Sequence, residues 1–152
     1  MSLEDVMNYM DTEFPDMYLI TDTKNDNKKL LQLIKDRYSY MMDRIIPQVY
    51  SQDEYKFAKE LGFNNIIYTL YLSSDKQADI IKFSKENYPF AITMDTSWAH
   101  STLPVELSKL GVYTYTHTIN DWKDFDYLKK NGIKGIYTDQ LVSVNNVRYN
   151  YK

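Results

Sequence analysis

An acid and a base two residues apart, at the end of an apolar run, are the first chemistry this sequence offers. Tyr18-Leu19-Ile20-Thr21 suits a buried strand and leads straight into Asp22-Thr23-Lys24. Side chains of a strand alternate between faces, so Asp22 and Lys24 project to one side and Thr23 to the other. Desolvating a carboxylate and an ammonium there is costly unless they meet a metal, an anion or each other. A strand that simply ends, with both charges in water, satisfies the same pattern. More polar residues stand at the ends of later apolar runs: Gln48 and Tyr50, Tyr71, Asp95, His117 and Asn120, and Asp139.

The elements that must position these residues follow one repeated plan. Ser2 with Asp5 three residues on reads as a capped helix start, with Leu3, Val6, Met7 and Met10 at helical spacing. Strands are expected over residues 18–23, 44–50, 65–71, 90–94, 112–119 and 133–138, and helices over 28–40, 52–61, 76–87, 103–110 and 122–130. Asn25-Asp26-Asn27, Ser51, Ser73-Ser74-Asp75 and Asn120-Asp121 supply helix-opening chemistry. Gly62, Gly111 and Gly132 stop three of the helices. Asn65–Tyr71 lacks polar alternation, as in a strand buried on both faces of a parallel sheet. Pro47 would by itself mark an edge strand. Short helices alternating with short strands indicate βα units, either as an open doubly wound sheet or as a closed barrel. No Gly-rich loop follows the first strand, which speaks against dinucleotide binding. Polar residues at the C-terminal ends of strands are where a (β/α)8 barrel builds its site. Such a barrel needs eight units; six are legible. Residues 142–152 read as a polar tail to a single domain spanning 1–152.

Composition narrows the classes further. The chain has 152 residues, 43% hydrophobic and 26% charged, which is ordinary for one globular domain. Its net charge is −3, with 18 basic and 21 acidic residues intermixed, so no basic footprint for nucleic acid is present. No apolar run has membrane-spanning length and the start has no leader-like pattern, so a soluble, cytoplasmic protein is the expectation. Cysteine is absent, which removes disulfides and thiolate metal sites.

Four segments together resemble one known family. Ser2-Leu3-Glu4-Asp5-Val6 leading into Ile20-Thr21-Asp22-Thr23-Lys24 is one. Ile46-Pro47-Gln48-Val49-Tyr50 and Tyr115-Thr116-His117-Thr118-Ile119-Asn120-Asp121 are two more. Gly132-Ile133-Lys134-Gly135-Ile136-Tyr137-Thr138-Asp139 is the last. In order and spacing they resemble strands three to eight of the glycerophosphodiester phosphodiesterases, metal-dependent (β/α)8-barrel enzymes. The resemblance runs over nearly the whole chain up to Leu141. It implies an α/β, TIM-barrel-like fold, incomplete at about six parallel βα units.

The resemblance also assigns roles. It implies that Asp22 ligates a divalent cation, calcium or magnesium, and that Lys24 contacts a phosphate. It places Gln48, Tyr71 and His117 at the barrel mouth, where they would touch substrate. Each has a structural reading beside this one: Gln48 and Tyr71 as core hydrogen-bonding groups, His117 as a strand-end histidine bonded to its neighbours. Asn120 is expected to cap the next helix and Asp139 to fix the last loop. The whole enzyme would hydrolyse a glycerophosphodiester to an alcohol and sn-glycerol 3-phosphate. The family's His-Arg-Gly and Glu-x-Asp motifs, which carry its acid–base histidines and two metal carboxylates, do not occur in this sequence. No catalytic residue is therefore assigned, whether the chain is an enzyme is left open, and the chain as given is expected to be inactive, with its metal weakly held or absent. The alternative is a non-catalytic module that closes its sheet against a second copy or a separate segment carrying strands one and two.

Overall fold

In a computed structural model, residues 2–23, 25–71, 73–144 and 147–150 are described. Strands alternate with helices: α1 (Leu3–Thr12), β1 (Leu19–Thr21), α2 (Asn27–Arg37), a 3-10 segment (Ser39–Arg44), β2 (Ile45–Val49), α3 (Gln52–Leu61), β3 (Ile67–Thr69), α4 (Gln77–Asn87), β4 (Ala91–Asp95), α5 (Thr96–Ala99), α6 (Leu103–Lys109), β5 (Tyr113–His117), α7 (Trp122–Lys130) and β6 (Gly135–Ile136). The six strands are ordered β1-β2-β3-β4-β5-β6, the order of the chain itself. A hairpin of β7 (Leu141–Val144) and β8 (Val147–Asn150) follows. The chain divides into two compact units, Met1–Ile67 and Tyr68–Lys152.

In the first unit β1 and β2 pair in parallel, with Leu19 opposite Ile45 and Thr21 opposite Pro47. Proline removes one N–H from a ladder, and here β2 has a neighbour on each side in spite of Pro47. Helix α1 begins as its sequence indicates. The Ser2 hydroxyl accepts the Asp5 N–H, and the Asp5 carboxylate accepts the Ser2 N–H at 2.6 Å. Met7 and Met10 from α1, Leu31 and Ile34 from α2, and Ile45 and Val49 from β2 are almost wholly buried. Arg44 ties α1 to β2: its guanidinium donates to Met10 O, Pro15 O and the Asp11 carboxylate at 2.8–3.1 Å. Asp26 stands at the start of α2 as expected, but it caps by a left-handed backbone (φ 54°) rather than by a side-chain bond. Ser51 caps α3 by accepting the Glu54 N–H.

The second unit holds β4, β5 and β6, all parallel, with Asp95 opposite His117 and Thr116 opposite Ile136. Leu70, just after β3, donates its N–H to Thr93 O at 2.9 Å. Alternation along β5 is strict: Thr114 and Thr116 are fully buried, while Tyr113, Tyr115 and His117 face the other way. Ser73 and Asp75 do not cap α4, for which they are suited by type. Both instead bind the hydroxyl of the buried Tyr68, at 2.9 and 2.6 Å, because a phenol desolvated at that depth requires partners. Nor does Asn120 cap α7; Asp121 does, accepting the Lys123 and Asp124 N–H groups.

The described part of the expected polar tail is paired structure. Leu141–Val144 and Val147–Asn150 form an antiparallel ladder, and Val142, Val144 and Val147 are of a type suited to strands. Arg148 makes a bidentate pair with Asp126 at 2.7 Å and lays its guanidinium 4.6 Å from the Trp122 ring. The hairpin is thereby fastened to α7. Residues 145, 146, 151 and 152 lie outside the described set. Among the described residues no helix is long and apolar enough to cross a membrane.

Gly132 joins α7 to β6 at φ 99°, and a Cβ there would lie 2.6 Å from Pro104 O. Gly111 has φ 78° but nothing within 4 Å of such a Cβ. Gly111→Ala should therefore cost about 1–2 kcal/mol, from backbone strain alone. Gly132→Ala adds a backbone clash and should cost about 3–4 kcal/mol. Urea unfolding of both variants measures this; equal losses would contradict the close approach at Pro104.

Candidate functional site

Strand ends create two polar clusters, one in each unit. In the first unit, Asp22 is the first residue past β1 and Tyr50 the first past β2. The Tyr50 hydroxyl donates to the exposed Asp22 carboxylate, and Gln48 Nε2 donates to the same hydroxyl at 3.3 Å. Tyr50 is two residues on from Gln48, and the Gln48 amide reaches its hydroxyl. Burial, then the bond to Asp22, push the Tyr50 pKa up to about 12. Glu54, in the first turn of α3, accepts the Tyr50 N–H at 2.9 Å and Asn27 Nδ2 at 3.2 Å. Asn27 Nδ2 also reaches Gln48 O at 3.1 Å. Thus the start of α2, the start of α3 and the end of β2 are stitched together beside Asp22. Buried Asn27 Oδ1 and Thr21 Oγ1 have no hydrogen-bond partner among the described residues. Lys24 lies outside them.

Calcium takes six to eight oxygen ligands and magnesium near-ideal octahedral coordination. Among the described residues no group of three or more His, Asp or Glu side chains converges in a way that could hold such an ion. Asp22 shares a hydrogen bond with Tyr50, and the Glu54 Oε2 nearby is engaged by two N–H donors. The described donor set alone does not fit a divalent cation.

The second unit brings Tyr71 and His117 together, with ring centroids 6.0 Å apart at 67°. Tyr137, past β6, meets His117 at 6.4 Å and 74°, and meets Tyr115 at 6.3 Å. Gly135 makes room for this row, since a Cβ there would overlap the Tyr115 ring. The His117–Thr118 peptide is cis. Asp95, opposite His117 in register, caps α5 through the Trp98 N–H at 3.0 Å and accepts the Ser97 hydroxyl at 2.5 Å. The Ser97 hydroxyl, with the Trp98 and Ser97 N–H groups and nearby His117, holds the Asp95 carboxyl below its usual range. Asn120 Oδ1 accepts from Thr138 Oγ1 at 2.9 Å and from the Asp139 N–H at 3.0 Å. Asn120 therefore joins the loops after β5 and β6.

Of the residues singled out by sequence, Asp22 and Gln48 are linked through Tyr50, and Tyr71 and His117 share a ring contact. Tyr50, Glu54, Asp95 and Tyr137 were not among the assigned site residues. Tyr50 carried a legible signal, two positions from Gln48 at the same strand end. Glu54 reads from sequence only as a first-turn acid, and Tyr137 only as one of 15 tyrosines.

No protein-family model and no curated protein matches this sequence. Solved structures do resemble it. One is assigned as a glycerophosphoryl diester phosphodiesterase from Silicibacter pomeroyi DSS-3, at TM-score 0.63 and 15% identity over 90% of this chain and 52% of that one. Another is a glycerophosphodiester phosphodiesterase from Parabacteroides distasonis ATCC 8503, at TM-score 0.61 and 16% identity over 85% of this chain and 56% of that one. This chain spans about half the length of the structures it matches. At such identity the likeness is one of fold: an incomplete, (β/α)8-barrel-like arrangement of six parallel strands, shared with glycerophosphodiester phosphodiesterases.

Proposed function

We propose that this chain is a glycerophosphodiester phosphodiesterase-like protein whose ligand is a small phosphodiester, and that by itself it binds without turning over. The observation that carries this reading is the Gln48–Tyr50–Asp22 hydrogen-bond chain at the ends of β1 and β2. It holds a carboxylate in a fixed position at the strand end where a barrel of this kind does its chemistry. In this reading Asp22 is one oxygen ligand of a shared calcium or magnesium site, completed by carboxylates beyond the described donor set. Lys24 is a point charge for the phosphate. Gln48, Tyr71 and His117 are substrate contacts. Hydrolysis also needs an acid for the leaving alkoxide, and the sequence lacks the His-Arg-Gly motif that supplies it in the family.

Product analysis tests the reading. Incubated with glycerophosphocholine and calcium or magnesium, the chain should release no glycerol 3-phosphate above buffer. It should still bind glycerol 3-phosphate saturably by NMR titration, about five- to tenfold more weakly in Asp22→Ala if one charge-assisted contact is lost. Turnover that vanishes in Asp22→Ala would contradict the incapacity; no binding at all would contradict the phosphodiester site.

Tyr50 has a role in holding Asp22 that stability can report. Its pKa is higher folded than unfolded, so its contribution is fully present below about pH 10, the free phenol value, and is lost as pH rises through about 12. Tyr50→Phe should cost about 1–2 kcal/mol at pH 7 by loss of a hydrogen bond to a charged group. Denaturant unfolding from pH 7 to 11.5 should show wild type and variant converging at the alkaline end. A constant difference would mean that the hydroxyl is not held by Asp22.

A second reading, assembly with another chain, is favoured by the β1 edge. β1 ends the strand order, and Ile20 is 47% exposed, with Met17 and Tyr18 just before it in the chain also exposed. Unpaired apolar edges recruit strands. Sedimentation should then report a species heavier than the 18.1 kDa monomer, reverting to monomer in Ile20→Lys. A monomer at high concentration would argue against edge pairing.

A further inference from the structure

The two ends of the strand order differ in charge. β1 is the first strand and β6 the last, so among the described residues each has a neighbouring strand on one side only. Residues 2–23, which lead into and out of β1, include six acids and no Lys, Arg or His. Residues 127–138, around β6, include Lys129, Lys130 and Lys134 and no acid. Part of the acidic charge is already used: Asp5 caps α1 and Asp11 binds Arg44. Glu13, Asp16, Lys129, Lys130 and Lys134 are exposed, and none has an ion pair among the described residues. Glu13 also stands at the C-cap of α1, whose last turn has no base, so it adds to the negative end of the helix dipole. Both edges lack the usual guards against pairing: neither Leu19–Thr21 nor Gly135–Ile136 contains Lys or Pro.

We infer that β1 of one copy of this chain pairs in parallel with β6 of a second copy, head to tail. Parallel addition continues the direction of the β1–β2, β4–β5 and β5–β6 pairs, and it sets the starts of the two strands side by side. Glu13 and Asp16, which precede β1, then lie at the same end as Lys129, Lys130 and Lys134, which precede β6. At the other end Asp22 and Asp139 are alike in charge, so the attraction resides at the strand starts. Antiparallel addition would instead bring Asp16 toward Asp139. β1 against β1 would oppose acids to acids, and β6 against β6 lysines to lysines. An added strand also gives Ile20, 47% exposed, a side chain to pack against. Such an interface is heterologous, since each copy offers one edge and accepts the other. The two strands span three and two residues, so the ladder is short and charge selects the partner. This pairing rests on the assembly reading and adds the surface that β1 meets.

Sedimentation equilibrium of the whole chain tests it. The wild type should associate, and raising sodium chloride from about 0.05 to 0.5 M should weaken that association at least about tenfold. Glu13→Lys with Asp16→Lys reverses the charge beside β1, and Lys130→Glu with Lys134→Glu reverses it beside β6. Each double variant alone should be monomeric where the wild type associates, and an equimolar mixture of the two should associate again. If the wild type associates and the Lys130→Glu, Lys134→Glu variant does so equally well, β1 meets a different surface: this inference fails and the assembly reading stands. If the wild type is monomeric at every concentration, both fail. Association indifferent to salt, or a mixture that stays monomeric, overturns this inference alone. The salt series is run on the unaltered chain, so it decides even if a variant folds poorly.

Discussion

Two parallel strands cannot be joined by a tight turn; the chain must leave the end of one and travel back to the start of the next. That constraint orders this protein. β1 with β2, and β4 with β5 and β6, pair in parallel, and a helical return lies between each successive pair. Within each unit every strand's C-terminal end therefore comes to the same edge. Whatever residue stands one or two positions past a strand is delivered next to its counterpart from the neighbouring strand. Asp22 meets Tyr50 for this reason, and His117 meets Tyr137 for the same one.

The strands are short, from two to five residues, so the ladder alone cannot hold those edges. Side chains complete the work. Tyr50 and Tyr68 each project a hydroxyl from strand to loop, onto Asp22 in one case and onto Ser73 and Asp75 in the other. Asn120 does the equivalent between the loops after β5 and β6. Arg44 closes the opposite side of the first unit by gathering three acceptors near the end of α1. A buried polar group must find partners, and in this chain those obligatory partners are the residues that shape the candidate sites.

Much of this was legible in advance. Helix starts with a side-chain cap, such as Ser2 with Asp5 and Ser51, follow local rules that depend on four consecutive residues, and they appear where those rules place them. The order of six strands follows from apolar runs separated by helical periodicity. Less legible were residues whose type suits two roles. Ser73, Asp75 and Asn120 are good caps by type, yet each is drawn to a partner that is distant in sequence or buried. Residues 142–152 read as a polar tail, while Leu141–Val144 and Val147–Asn150 pair as an antiparallel hairpin, secured by an Arg148 pair with Asp126 that lies 22 residues away.

By itself the amino-acid sequence determined the alternation of strands and helices, the resemblance of its motifs to one barrel family, and the location of Asp22, Gln48, Tyr71 and His117 at strand ends. These are local properties: periodicity, caps and the residues that follow an apolar run. Only the tertiary structure decided which of those residues meet, since contact between Tyr50 and Asp22, or among Tyr71, His117 and Tyr137, depends on strand register and on which face each side chain takes. Register is a long-range quantity, fixed by which face of each strand is buried and so by what packs against it.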